Sequence, residues 1–155
     1  MDDVNALAAR LRRMERMERA RGLLHEYAAA VDERSVEAVV ALFHPEAVLR
    51  NPRGLFTGTA EIAGAYRTAW DLDPSHKRHF IATPRLAVGP DEVIGAAAHF
   101  HFIGRGPDLS VIGWGAYDTR IDVTDDDRAG FRSMTITVHL STDITAGWAL
   151  DGTSG

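Results

Sequence analysis

The 155-residue sequence contains no cysteine. That excludes disulfides, thiolate nucleophiles and cysteine-ligated metals. No apolar run approaches the ~18 residues of a membrane span. Residues 1–5, Met-Asp-Asp-Val-Asn, lack the basic flank and apolar stretch of a signal peptide. The expectation is a cytoplasmic protein with no membrane partner. A basic excess is missing as well: 17 Lys and Arg stand against 22 Asp and Glu, for a formal charge of −5. Nucleic acid is therefore not expected as a general partner, because phosphate binding needs a basic face. Internal repeats and low-complexity segments are absent too.

What is present is ample apolar material, 45% of the chain, enough for one packed core. The length fits a single domain over 1–155, with its core at about 15–142. A loosely held helix start and a C-terminal tail packing through Trp148 are expected at either end.

Residues 3–32 predict a helix, with Leu7, Leu11 and Met14 and then Leu24, Tyr27, Ala28 and Val31 as an apolar stripe. Gly22 is a candidate break. Ser35 predicts an N-cap for a second helix over 36–43, closed by His44-Pro45. Residues 47–50 predict a short strand and 51–54 a turn. A third helix is expected over 60–70, with Ile62, Tyr66 and Trp70 on one face. From residue 77 the apolar period changes from 3.6 to 2. Four strands follow at about 77–88, 92–104, 109–123 and 131–142, joined by short turns as an antiparallel meander. Asp125 to Asp127 form a turn rather than a calcium loop, since the ligand spacing is wrong. Helices first and strands afterwards give an α+β fold, with the helices on one face of a curved sheet.

The stretch His76-Lys-Arg-His-Phe-Ile-Ala-Thr-Pro-Arg-Leu86 carries the chemistry. Strand alternation puts His79, Ile81 and Thr83 on one face and Phe80 and Ala82 on the other. A histidine entering an apolar strand can act as a general base, because its pKa lies near neutrality. Asp32, ending the first long helix, is the candidate to orient it. In the second strand both faces are apolar. Val93, Gly95, Ala97 and Ile103 share a side with His99 and His101, and Ile94, Ala96, Phe100 and Phe102 make the other. One side then lines the core or cavity, and the other meets a second subunit in a homodimer or higher homo-oligomer. On a pocket-facing side, His99 and His101 would bind substrate. Tyr27, Tyr66, Trp70 and Trp114 are candidates for the pocket wall or mouth. His76-x-x-His79 and His99-x-His101 also raise a metal site. Against it, His76 and His79 point to opposite faces of a strand, so no metal is assigned.

Tyr27 … Asp32, Leu42-Phe43, the Phe56-to-Gly58 turn, Arg78-His-Phe80 and Gly115-Ala-Tyr117 together resemble the SnoaL-like branch of the nuclear transport factor 2-like superfamily. Within it the chain is most similar to the scytalone dehydratase and hexachlorocyclohexane dehydrochlorinase group. The resemblance covers about residues 15–142. It implies a cone-shaped barrel with helices closing a deep pocket, and a catalytic aspartate and histidine at Asp32 and His79. The positions at which the fungal dehydratase holds its carbonyl group carry Val31 and Asn51 here. The implied activity is a cofactor-free lyase, a dehydratase or a related elimination or isomerisation enzyme, acting on a small, mostly apolar carbonyl compound. The alternative is a non-catalytic hydrophobic-ligand-binding or assembly protein of the same fold.

Overall fold

The computed structural model describes residues 2–108, 110–124, 126 and 128–147. Trp148 and two of the three aspartates at 125–127 lie outside that set.

Helix α1 runs unbroken from Asp2 to Asp32. Gly22 does not divide it, although glycine in a helix interior costs about 1 kcal/mol relative to alanine. Its neighbours Ala20, Leu23, Leu24 and Tyr27 are buried against the sheet, and that packing outweighs the local preference. The single apolar stripe expected along this helix is in fact two. Leu7, Leu11 and Met14 are exposed, whereas Leu24 and Tyr27 are buried. Met14 and Leu24 differ by about 80° around the helix, and the sheet covers only the later turns.

Helix α2 (Val36–Val40) begins where the Ser35 hydroxyl accepts the Ala38 N–H at 3.1 Å, and it is shorter than expected. The chain is already extended at Phe43, in strand β1 (Phe43–Asn51). Pro45 disfavours helical geometry at His44, so the pair begins a strand where the sequence suggested only a helix end. Strand β2 (Gly54–Thr57), read from the sequence as part of a turn, pairs back onto β1. Helix α3 (Gly58–Leu72) buries Ile62, Ala63, Ala65 and Tyr66. At its start the Glu61 carboxylate, one turn in, accepts the N-cap Thr57 N–H at 2.7 Å.

Strands β3 (His76–Val88), β4 (Ile94–Arg105), β5 (Ser110–Val123) and β6 (Ala129–Asp143) form the expected antiparallel meander. The six strands are ordered β2-β1-β6-β5-β4-β3, and β1 runs parallel to β6. The sheet is therefore curved and mostly antiparallel but not closed, since its edges β2 and β3 do not pair. The helices pack on its inner face, giving the α+β class the sequence implied.

Two glycines make room on the inner face for aromatic rings. A Cβ at Gly113 would meet the Phe102 ring at 2.5 Å, and one at Gly115 would meet Phe100 at 2.5 Å. Their absence lets the rings of Phe100 and Phe102 cross β5, and Phe100 stacks on Tyr117 with centroids 4.4 Å apart. Tyr27 meets Tyr117 and Phe131 edge-on, joining α1 to this layer. One local feature departs from simple alternation. Thr83 has φ 49°, and the β3–β4 register shifts between Ala82 and Arg85. This bulge turns Thr83 to the outer face, where its hydroxyl lies 3.2 Å from His99 Nδ1, instead of beside His79 and Ile81.

Candidate active site

Asp32 is the last residue of α1, and His79 lies on β3, the strand packed against that helix. The helix end delivers a carboxylate to the inner face of the strand. One oxygen, Oδ1, lies 2.6 Å from His79 Nδ1, and the other accepts the His79 backbone N–H at 3.0 Å. Both side chains are close to buried, with 11% and 12% exposure. A carboxylate accepts only, so Nδ1 carries the ring proton and Nε2 is left as the acceptor. The His79 ring sits over Phe100 and Phe102, with centroids 6.0 and 5.7 Å away.

An aspartate beside a histidine would by itself favour the imidazolium. The balance falls the other way. Burial lowers the His79 pKa below 6.5, and the nearby Lys77 charge lowers it further, against the hydrogen bond and charge of Asp32, which raise it. The ring is neutral at pH 7, the state a base requires.

Beside it lies a cavity of about 300 Å³. Val31, Ala69, Trp70, Ile136 and Val138 make its apolar side; Tyr66, His79, Ser75, Asn51 and the charged residues Arg34, Arg53, Asp73 and Lys77 make its polar side. Val31 and Asn51, singled out above by resemblance, both line it. Arg34 adopts φ 56° just after α1 and holds the end of α3 in place. Its guanidinium donates to the carbonyls of Trp70 (2.5 Å), Asp73 (3.1 Å) and Ser75 (3.2 Å). Asp73 pairs with Lys77 and accepts from Ser75 Oγ at 2.6 Å. Burial raises its pKa, but these hydrogen bonds and the Lys77 charge more than reverse that and hold it at about 2.

Tyr66 lines the cavity, whereas Tyr27 sits behind it in the core, and the two hydroxyls are hydrogen-bonded to each other. Tyr66 is the only hydroxyl partner found for Tyr27 among the described residues. Tyr27 is therefore satisfied as a donor only if it donates to Tyr66. That leaves the Tyr66 proton for the cavity. Burial is the main reason both pKa values are raised, so both phenols stay neutral.

Tyr27, expected in the pocket wall, is thus a core residue, and three more expected pocket residues lie elsewhere. His99, His101 and Trp114 are on the outer face of the sheet, away from the cavity. Strand alternation gives the inner face of β4 to Ile94, Ala96, Ala98, Phe100 and Phe102, so the intervening residues must face out. There the register aligns Phe80, His101, Trp114 and Leu140 in one row, with His101 stacked on Phe80 at 5.9 Å. The sequence reading missed Arg34, Arg53, Asp73, Ser75, Lys77, Ile136 and Val138. They come from four separate segments, and only the position of Arg34 in Val31-Asp-Glu-Arg34 was a nearby signal.

A curved sheet capped by helices, with a histidine held by an aspartate at one side of a cavity, defines the class. The SnoaL-like domain family matches residues 12–134, and the chain belongs to it. No curated protein sequence matches. Among solved structures, the chain is similar to LinA at 15% identity and TM-score 0.73, covering 98% of this chain and 96% of that one. A scytalone dehydratase-like protein of Novosphingobium aromaticivorans matches at 16% identity and TM-score 0.71, over 92% and 91% of the two chains. ActVI-ORFA of Streptomyces coelicolor matches at 15% identity and TM-score 0.72, over 79% and 97%. At these identities the likeness is one of fold.

Proposed function

We propose that the protein is a cofactor-free lyase that eliminates water or a comparable leaving group from a small carbonyl compound. The observation that carries this reading is the two-point hold of the Asp32 carboxylate on His79, which fixes one tautomer of a neutral imidazole beside the cavity. His79 Nε2 takes a proton from the carbon next to the carbonyl. The C–H electron pair becomes the new C=C bond as the group on the next carbon departs with its own bonding pair. The proton on Nε2 then passes to the departing hydroxide, giving water, or to solvent when another anion leaves. Asp32 stabilises the imidazolium during this interval. The Tyr66 hydroxyl, with Tyr27 donating into it, offers a hydrogen bond to the carbonyl oxygen as negative charge develops there. General-base assistance of this kind contributes roughly 10²–10⁴-fold.

The test is deuterium exchange and elimination with β-hydroxy and β-halo carbonyl compounds. Wild type is expected to exchange and eliminate, while Asp32→Asn and His79→Gln lose both. If wild type binds these compounds but neither exchanges nor eliminates, the lyase reading fails. The apolar side of the cavity then favours the rival reading, a hydrophobic-ligand-binding protein, in which Asp32→Asn leaves affinity nearly unchanged. We also propose that the outer sheet face joins copies of the chain, because Phe80 is 53% and Trp114 40% exposed in one row.

A further inference from the structure

The chain is acidic overall, yet its cavity is not. Three cations line it, Arg34, Arg53 and Lys77, against one carboxylate, Asp73. Asp73 is matched by Lys77, and the guanidinium of Arg34 is spent on three backbone carbonyls. The Arg53 side chain, on the turn between β1 and β2, has no partner among the described residues.

Its neighbour Asn51 adds to this. The Asn51 Oδ1 accepts the Arg53 backbone N–H at 2.8 Å, which fixes how the carboxamide is turned. With the oxygen engaged in its own turn, the NH₂ end is the part left for a ligand. Arg53 and Asn51 both line the hairpin end of the cavity, where Asn51 follows the β1–β6 pairing next to Ile136, so a guanidinium and an amide NH₂ are available there together with apolar Trp70, Ile136 and Val138. A guanidinium fork beside an amide donor suits a planar, two-oxygen anion better than a single carbonyl oxygen.

We infer that the substrate carries a carboxylate, held by Arg53 and Asn51 at the hairpin end of the cavity. Where the carboxylate sits rests on these two residues alone. That its reacting carbon then faces His79 rests on the lyase reading. The substrate class narrows from a neutral carbonyl compound to a keto or hydroxy acid with an apolar body.

The test uses 2-naphthoate and its neutral isostere 2-naphthamide, titrated calorimetrically into the whole protein. Wild type is expected to bind the acid about tenfold or more tightly than the amide, with the difference shrinking as salt rises. Arg53→Gln removes the preference and leaves amide binding within about twofold. Asn51→Asp keeps the oxygen that the turn needs but puts a negative charge where the NH₂ stood, so it weakens the acid and spares the amide. Equal affinities in wild type overturn the inference. So does failure of the acid to bind at millimolar concentration, or an Arg53→Gln variant that weakens both probes alike. Neither probe has a leaving group, so a lost acid preference counts against this anion site alone. Loss of carbon-bound deuterium exchange counts against the base alone.

Discussion

The Asp32 carboxylate holds His79 at two points, with one oxygen on the ring nitrogen and the other on the backbone N–H of the same residue. A single hydrogen bond would leave the ring free to swing about it. Two bonds tie the ring to the strand that carries it, so the helix end fixes both the tautomer and the orientation of the imidazole.

Asp32→Asn should lower the His79 pKa further, because burial already lowers it and Asp32 is the main influence raising it. NMR titration of the His79 ring reads this directly. In wild type the neutral base predominates above its lowered pKa, so the acid limb of kcat/KM should inflect below 6.5. The stability contribution has the same direction. A depressed histidine pKa stabilises the fold above the unfolded value and is lost as pH falls through the folded value. An acid limb centred above 6.5 would contradict this assignment.

Asp73 behaves in the same direction at lower pH. Its folded pKa of about 2 lies below the ordinary 3.8, so its contribution is present above 3.8 and is lost between 3.8 and about 2 as pH falls. Urea denaturation of wild type and Asp73→Asn should differ at pH 6 and converge near pH 2. Equal midpoints at pH 6 would show that the Asp73–Lys77–Ser75 cluster does not support the fold.

The tyrosine pair should be asymmetric. Tyr66→Phe leaves the Tyr27 hydroxyl buried without a partner and should cost about 1–3 kcal/mol. Tyr27→Phe should cost less, because Tyr66 still faces the cavity. The double variant should lose less than the sum of the two single changes, since it removes the orphaned hydroxyl. Denaturant midpoints for the three variants decide the matter, and simple additivity would remove the assigned donor direction.

Gly115→Ala should destabilise by about 1–3 kcal/mol, because its Cβ would lie 2.0 Å from the Thr137 carbonyl oxygen on β6 and 2.5 Å from the Phe100 ring. Phe100 lies next to His79, so the displaced ring should also shift the His79 resonances. Thermal melts and the same NMR spectra test both effects. An unchanged melting temperature would show that the β5–β6 backbone at Thr137 and the Phe100 ring both yield freely.

On the outer face, Trp114→Glu should favour the monomer in sedimentation experiments and leave the Asp32–His79 site intact. A wild type already monomeric at high concentration would remove the proposed sheet-face assembly.

The α+β class, the four-strand meander and the candidacy of Asp32 and His79 were legible in the chain. They rest on local periodicity, on a histidine where β3 turns apolar, and on motifs that resemble a family. The alternation of β4 also determined that His99 and His101 share a face. Which face it was depended on where the helices pack, and that is a tertiary fact. The strand start at Phe43 depended on pairing with β6, more than 80 positions later, and the bulge at Thr83 on register with β4. The cavity cations come from the turn after α1, the β1–β2 turn and β3, so no window of sequence could show them together. The pKa of His79 shows the division most clearly. Sequence gave it a carboxylate partner, whereas its direction of shift was decided by burial, which exists only once the chain has folded.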